Sequence, residues 1–118
     1  MSRVVHFEIP CAEPERAAEF YRKVFDWKIE KWAGPMEYWM VTTGTNGPGI
    51  DGGLMKRPGP VTNTVDVESL EAAIDAVKKA GGKLLVDKTA IPTIGYMAQC
   101  ADTEGNFFGL MQVDPNAK

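Results

Sequence analysis

The feature that most constrains this chain is an element order that occurs twice. Arg57-Pro58-Gly59-Pro60 breaks any regular element and leaves flanks of about 57 and 58 residues. In the first flank, residues 4–9 alternate with period two, Val5, Phe7 and Ile9 on one face and Val4, His6 and Glu8 on the other, which predicts a strand ending at Pro10. Pro14 and Glu15 open a helix over residues 14–24, on which Ala17, Phe20, Tyr21 and Val24 recur at i, i+3, i+4 and i+7 as its expected buried stripe. Residues 27–32 and 38–43 read as strands around Ala33-Gly34-Pro35, and a glycine-rich loop then leads to a short strand at about 52–57. The second flank repeats this order. Residues 61–67 alternate as a strand, Ser69 can cap a helix carrying Leu70, Ala73, Ile74 and Val77 on one stripe, and Gly81-Gly82 ends it. Strands follow at 83–86, 94–100 and 106–112, the last after the turn Asp102-Thr103-Glu104-Gly105.

Each half is therefore a βαβββ module whose helix covers one face of its strands and leaves the other bare. The expected fold is α+β: one domain spanning residues 1–118, module 1 at about 3–57 and module 2 at about 60–113, with a curved mixed sheet and the helices on its outer face. A concave bare face suits a small molecule, and it can equally be closed by a second copy of the chain. With 44% hydrophobic residues and 118 residues in all, there is enough apolar side chain for such a core, which excludes a disordered chain. The formal charge of −3, with Lys and Glu interleaved, leaves no basic patch for nucleic acid or an anionic membrane. Met1-Ser2-Arg3 runs directly into an alternating segment, so the expected location is cytoplasmic. Cys11 and Cys100 stand alone, without a CxxC or a Cys/His cluster, and read as free thiols.

Three stretches carry a resemblance. The opening His6-Phe7-Glu8-Ile9-Pro10 with Pro14-Glu15-Arg16-Ala17-Ala18-Glu19-Phe20-Tyr21, the link Val24-Phe25-Asp26-Trp27-Lys28, and the close Asp102-Thr103-Glu104-Gly105-Asn106-Phe107-Phe108-Gly109-Leu110 are similar to the vicinal oxygen chelate superfamily. That superfamily holds glyoxalase I, extradiol dioxygenases, fosfomycin-resistance enzymes, methylmalonyl-CoA epimerase and the bleomycin-binding resistance proteins. The resemblance implies the glyoxalase-like fold of paired βαβββ modules, in agreement with the repeat. It also implies four positions for a divalent metal, on the first and last strand of each module, usually His or Glu. His6 matches the first. The second falls near Gly52, Gly53, Leu54 and Met55, the third on Thr62 and the fourth on Gly109, none of them a histidine or a carboxylate. Catalytic metals need about three protein ligands, so the expected cofactor is none; Glu8 or Asp51 supplies a further oxygen only if the register slips.

His6 and Glu8, two apart on one strand face, are the candidate catalytic pair, since an imidazole and a carboxylate together can move a proton near neutral pH; a structural hydrogen bond at the sheet rim is the plainer reading. By alternation from the metal positions, Met55, Thr62, Thr64, Phe107, Gly109 and Met111 join them on the concave side as the expected ligand pocket. Methionine and aromatic walls take many flat or apolar ligands. No GxGxxG, Walker or GxSxG spacing occurs, and a nucleophilic cysteine has only Cys100, if near His6, to draw on. The leading reading is a small-molecule-binding protein of the glyoxalase/bleomycin-resistance type, without a catalytic metal and acting as a homodimer. The alternatives are a lyase or isomerase using His6 and Glu8, a metal-dependent glyoxalase- or dioxygenase-like enzyme, and a dimeric interaction module without ligand.

Overall fold

The computed structural model describes residues 2–118. Among them the chain forms eight strands and two helices in the order β1 (Val4–Cys11), α1 (Pro14–Phe25), β2 (Lys28–Lys31), β3 (Tyr38–Thr42), β4 (Asp51–Lys56), β5 (Thr62–Asp66), α2 (Leu70–Lys79), β6 (Lys83–Ile91), β7 (Gly95–Ala101) and β8 (Phe107–Val113). This is the α+β, twice-repeated βαβββ order that the sequence predicts. No described helix is long and apolar enough to cross a membrane.

Two compact units emerge: His6–Thr62, called the first unit, and Asn63–Lys118 with residues 2–5, called the second. The N-terminal residues group with the second unit through backbone bonds, Ser2 N–H to Asp66 O at 2.8 Å and Asp66 N–H to Arg3 O at 2.9 Å. In the first unit the strand order is β2-β3-β4-β1, with β1 and β4 parallel and the other pairs antiparallel. The second unit repeats the plan as β5-β8-β7-β6, with β5 and β8 parallel. Parallel neighbours need a long crossover, and here each crossover contains the helix that covers one face.

Side chains paired across a ladder share a face, so each sheet sorts its residues in two. On the helix face of the first unit, Phe7 and Ile9 of β1 pack with Ile29, Trp39, Val41 and Leu54 against Ala18 and Tyr21 of α1. In the second unit, Leu70 and Ile74 of α2 pack with Ala98, Cys100 and Leu110. Removing a side chain such as Leu54 or Leu70, both fully buried, from water contributes about 1.5–3 kcal/mol.

The helix ends follow local chemistry. Pro14 occupies the first turn of α1, where its missing N–H costs nothing, and Asp26 ends the helix at φ 60°, its N–H on Arg22 O. Ser69 caps α2, its Oγ accepting from Ala72 N–H at 3.2 Å.

Two expectations need correction. Phe20 and Val24 are not part of the buried stripe of α1; they are 57% and 53% exposed, while Pro14 and Ala18 are buried and Ala17 and Tyr21 half-buried. The helix is rotated so that the small Ala18 faces the sheet, which lets the backbones approach closely. Strand β6 runs to Ile91 rather than stopping at residue 86, because register shifts beyond Leu84 and Val86 break the alternation that would reveal its second half.

Candidate functional site

The helix-free face of the first unit carries the polar chemistry. In the β1–β4 ladder His6 lies opposite Asp51, Glu8 opposite Gly53 and Pro10 opposite Met55; in the β3–β4 ladder Tyr38 lies opposite Met55 and Met40 opposite Gly53. His6, Glu8, Asp51, Met55, Tyr38 and Met40 therefore share one face, on the side of the sheet away from α1.

Tyr38 does not stand straight up from its strand. A Cβ at Gly53 would collide with its hydroxyl oxygen and Cζ, so the phenol ring crosses the strand over the bare glycine. This brings its hydroxyl to His6 Nε2 at 2.6 Å. The two rings are nearly coplanar, 13° apart with centroids separated by 6.4 Å, and with that short N···O distance they meet end to end rather than face to face. Trp32, just beyond β2, packs edge-on against Tyr38 with ring centroids 6.3 Å apart.

Glu8 completes the group. Its Oε2 is 3.9 Å from His6 Nε2, and its Oε1 accepts from Arg57 Nη2 at 3.2 Å. The Glu8 side chain is only 13% exposed, so Arg57 is the charge that offsets burial of the carboxylate. Arg57 Nε is buried without a hydrogen-bond partner. Asp51 turns its Oδ1 to Thr43, accepting from the backbone N–H at 2.9 Å, and so closes the glycine-rich loop rather than reaching toward His6.

The protonation states follow from burial. Desolvation pushes the His6 imidazole below its ordinary 6.5, outweighing the opposite pull of Glu8 and Asp51, so the ring is neutral at pH 7. Desolvation, reinforced by the Glu8 charge, drives the Tyr38 phenol far above its usual range, and its proton stays on. The arrangement is a neutral imidazole joined to a neutral phenol, beside a carboxylate that already has its counter-ion. It can accept a hydrogen bond, donate one, or take a proton from a bound molecule.

The predicted pocket residues divide between the units. His6, Glu8, Met55 and Thr62 belong to the first; Thr64, Phe107, Gly109 and Met111 belong to the second, where Thr64 lies opposite Gly109 and the helix-facing side is taken by Val65, Phe108 and Leu110. These four second-unit residues thus lie on the face turned away from α2, with Gln99 opposite Gly109 in the β7–β8 ladder. Thr62 and Thr64 are buried, and Thr62 Oγ1 has no hydrogen-bond partner. Cys100 sits in the α2 core, where burial pushes its thiol up, so it offers no thiolate.

Neither Tyr38 nor Arg57 is among the site residues that the sequence predicts. The signal was Gly52-Gly53 inside a strand, which marks a close approach of some other group. Arg57 was hidden in a proline-glycine breaker.

A divalent metal does not fit the side chains present. The position opposite Glu8 on β4 is a glycine, Met55 offers a thioether, and His6 Nε2 is engaged by Tyr38. Among the described residues no group of three or more His, Cys, Asp or Glu side chains is close enough to hold one. An open groove of about 470 Å³ also runs between α1 and the end of β1, lined by Ile9, Pro10, Cys11 and Phe20, but the one ion pair on its rim, Glu13 with Arg16 at 2.9 Å, is exposed and self-satisfied.

Residues 3–110 match the Glyoxalase/Bleomycin resistance protein/Dioxygenase superfamily. A glyoxylase-like domain-containing protein from Didymella fabae is 32% identical over 108 residues, covering 84% of each chain. Among solved structures, methylmalonyl-CoA epimerase from Mycobacterium tuberculosis superposes with a TM-score of 0.69 at 15% identity over 94% of this chain and 87% of that one. The Streptomyces coelicolor methylmalonyl-CoA epimerase in complex with 2-nitronate-propionyl-CoA gives 0.70 at 15% identity, over 99% and 98%.

Proposed function

Because this chain belongs to the Glyoxalase/Bleomycin resistance protein/Dioxygenase superfamily, we propose that it binds a small organic molecule on the helix-free face of its first unit, with no resident divalent metal. The observation that carries this reading is the hydrogen bond between His6 Nε2 and the Tyr38 hydroxyl at 2.6 Å. It places a donor and an acceptor side by side on a face whose other walls are the thioethers of Met40 and Met55 and the indole of Trp32. A few polar atoms set among apolar, polarisable walls are what a small-molecule site requires.

The test is a compound screen by thermal shift on metal-free protein, repeated with His6→Ala. A ligand of the native state raises the apparent stability by mass action, so a hit at a hundred times its Kd adds about 2.7 kcal/mol. Hits that lose their shift in His6→Ala support the reading. Hits that shift both proteins equally remove His6 from the site, and a full library without a hit removes the binding function.

The neutral state of His6 favours one second reading, a lyase or isomerase that moves a proton. An imidazole held neutral at pH 7 is a competent base, and Glu8 stands 3.9 Å from the same nitrogen. Solvent deuterium appearing at a carbon of a bound hit, in wild type but not in His6→Ala, would distinguish this enzyme from a binding protein.

A further inference from the structure

The face that binds the molecule holds one group that the superfamily resemblance does not account for, the phenol of Tyr38. It lies over Gly53, on the last strand of the first module, where the resemblance expects a metal ligand. Its hydroxyl engages His6 Nε2, the imidazole nitrogen on this face, at 2.6 Å. We propose that Tyr38 and His6 together form a donor–acceptor pair that receives an uncharged carbonyl group, of an amide, ketone or ester, and that Tyr38 is the residue that sets this preference. The inference rests on the binding function above and names its ligand class.

The hydrogen-bond arithmetic supports a carbonyl. A neutral imidazole carries one N–H and one lone pair, and a phenol carries one O–H with lone pairs to spare. When a carbonyl oxygen arrives, the Tyr38 O–H turns to it, and His6 Nε2–H donates to the Tyr38 oxygen. The Tyr38 O–H then has an acceptor and the Tyr38 oxygen a donor, without any group changing its charge. Two neutral partners in a half-buried site pay no desolvation of an ion.

The surrounding charges argue against an anion. Glu8 is 3.9 Å from His6 Nε2 and Asp51 lies opposite His6 in the ladder, while Arg57 is the single cation paired to Glu8. A carboxylate or phosphate at His6 would meet two like charges on this face, and the charge of Arg57 is already balanced by Glu8 through Nη2, although its Nε–H has no partner. The phenol needs its place: Gly53 is the only residue on β4 between Asp51 and Met55 on this face, and any side chain there would occupy the ring's volume.

The experiment compares benzamide with benzoate, one ring with two head groups, by following the ring signals of His6 in labelled protein. His6 is the chain's one histidine, so its signals need no assignment. Benzamide is expected to shift them saturably in the millimolar range and benzoate to leave them in place at the same concentration. In Tyr38→Phe, which keeps the ring over Gly53 and loses only the hydroxyl, the benzamide shift is expected to vanish while the backbone spectrum stays folded. Benzoate binding equal to or tighter than benzamide, with loss in Arg57→Gln, would assign anion recognition to Arg57 and overturn the proposal. So would benzamide binding unchanged in Tyr38→Phe, or no shift from benzamide at all. A library hit of another class that needs His6 but not Tyr38 would sink this inference and leave the binding function intact; no hit of any class would sink that function.

Discussion

Replacing Gly53 by alanine tests the most unusual contact in the first unit. The added methyl would collide with the Tyr38 hydroxyl and Cζ, the nearest atoms to that position, and both belong to the free end of a side chain. The sheet therefore keeps its backbone and the ring swings out, which caps the cost at what the ring's present position contributes. Its hydrogen bond to His6 is worth about 0.5–1.5 kcal/mol. Re-exposing a half-buried aromatic ring adds about 0.75–1.5 kcal/mol, half of the full burial value. Against this, alanine restricts the unfolded chain more than glycine does and recovers about 0.4–1 kcal/mol, since Gly53 is not among the residues with positive φ. The net expectation is a loss of about 1–2 kcal/mol, read from urea unfolding followed by tryptophan fluorescence and circular dichroism. In a Tyr38→Ala background the obstacle is gone, and Gly53→Ala should become stabilising by about 0.4–1 kcal/mol. The sign change is the decisive result. If the two backgrounds agree within about 0.5 kcal/mol, the residues are uncoupled and the ring does not lie over Gly53.

Three other predictions follow from the fold and the charges. Leu54→Ala, at a fully buried position between β4 and α1, should cost about 2–5 kcal/mol by chemical denaturation, and a loss below about 1 kcal/mol would contradict the core assignment. Ser69→Ala should cost about 1 kcal/mol, because the Ala72 N–H loses its partner, while Ser69→Gly should cost only a few tenths. Burial lowers the His6 pKa in the folded state, so below its ordinary 6.5 the unfolded chain binds a proton that the folded chain refuses. Stability should therefore fall as pH drops from 6.5 until folded His6 itself protonates, and the slope should vanish in His6→Gln; a wild-type denaturation midpoint unchanged between pH 7 and 5.5 would refute this.

Much of the fold was legible because it is written in periodicities. The strand alternation around His6, the proline that opens α1, the Ser69 cap and the Leu70/Ile74 stripe are all local signals, and a local signal survives without knowledge of partners. Phe20 and Val24 misled because a stripe of apolar residues states that a helix is amphipathic, not which edge of the stripe meets the sheet. The small Ala18 decided that through close packing. The candidate site was half legible for a related reason. His6 and Glu8 share a strand face by simple alternation, but Tyr38 reaches them by crossing Gly53 from two strands away, a contact set by register and by the absence of a side chain. Arg57 pairs with Glu8 across 49 positions of sequence, and no local pattern marks it.

On the proposed reading, the His6 and Tyr38 face holds an organic molecule without help from a divalent metal. The direct measurement is elemental analysis of the untagged protein together with ligand-induced thermal shifts before and after exhaustive EDTA treatment. Metal-free binding at this face gives substoichiometric metal, ligand shifts that EDTA leaves unchanged, and their loss in His6→Ala. One equivalent of a divalent metal, with ligand shifts that disappear on chelation and return with that metal, would contradict it.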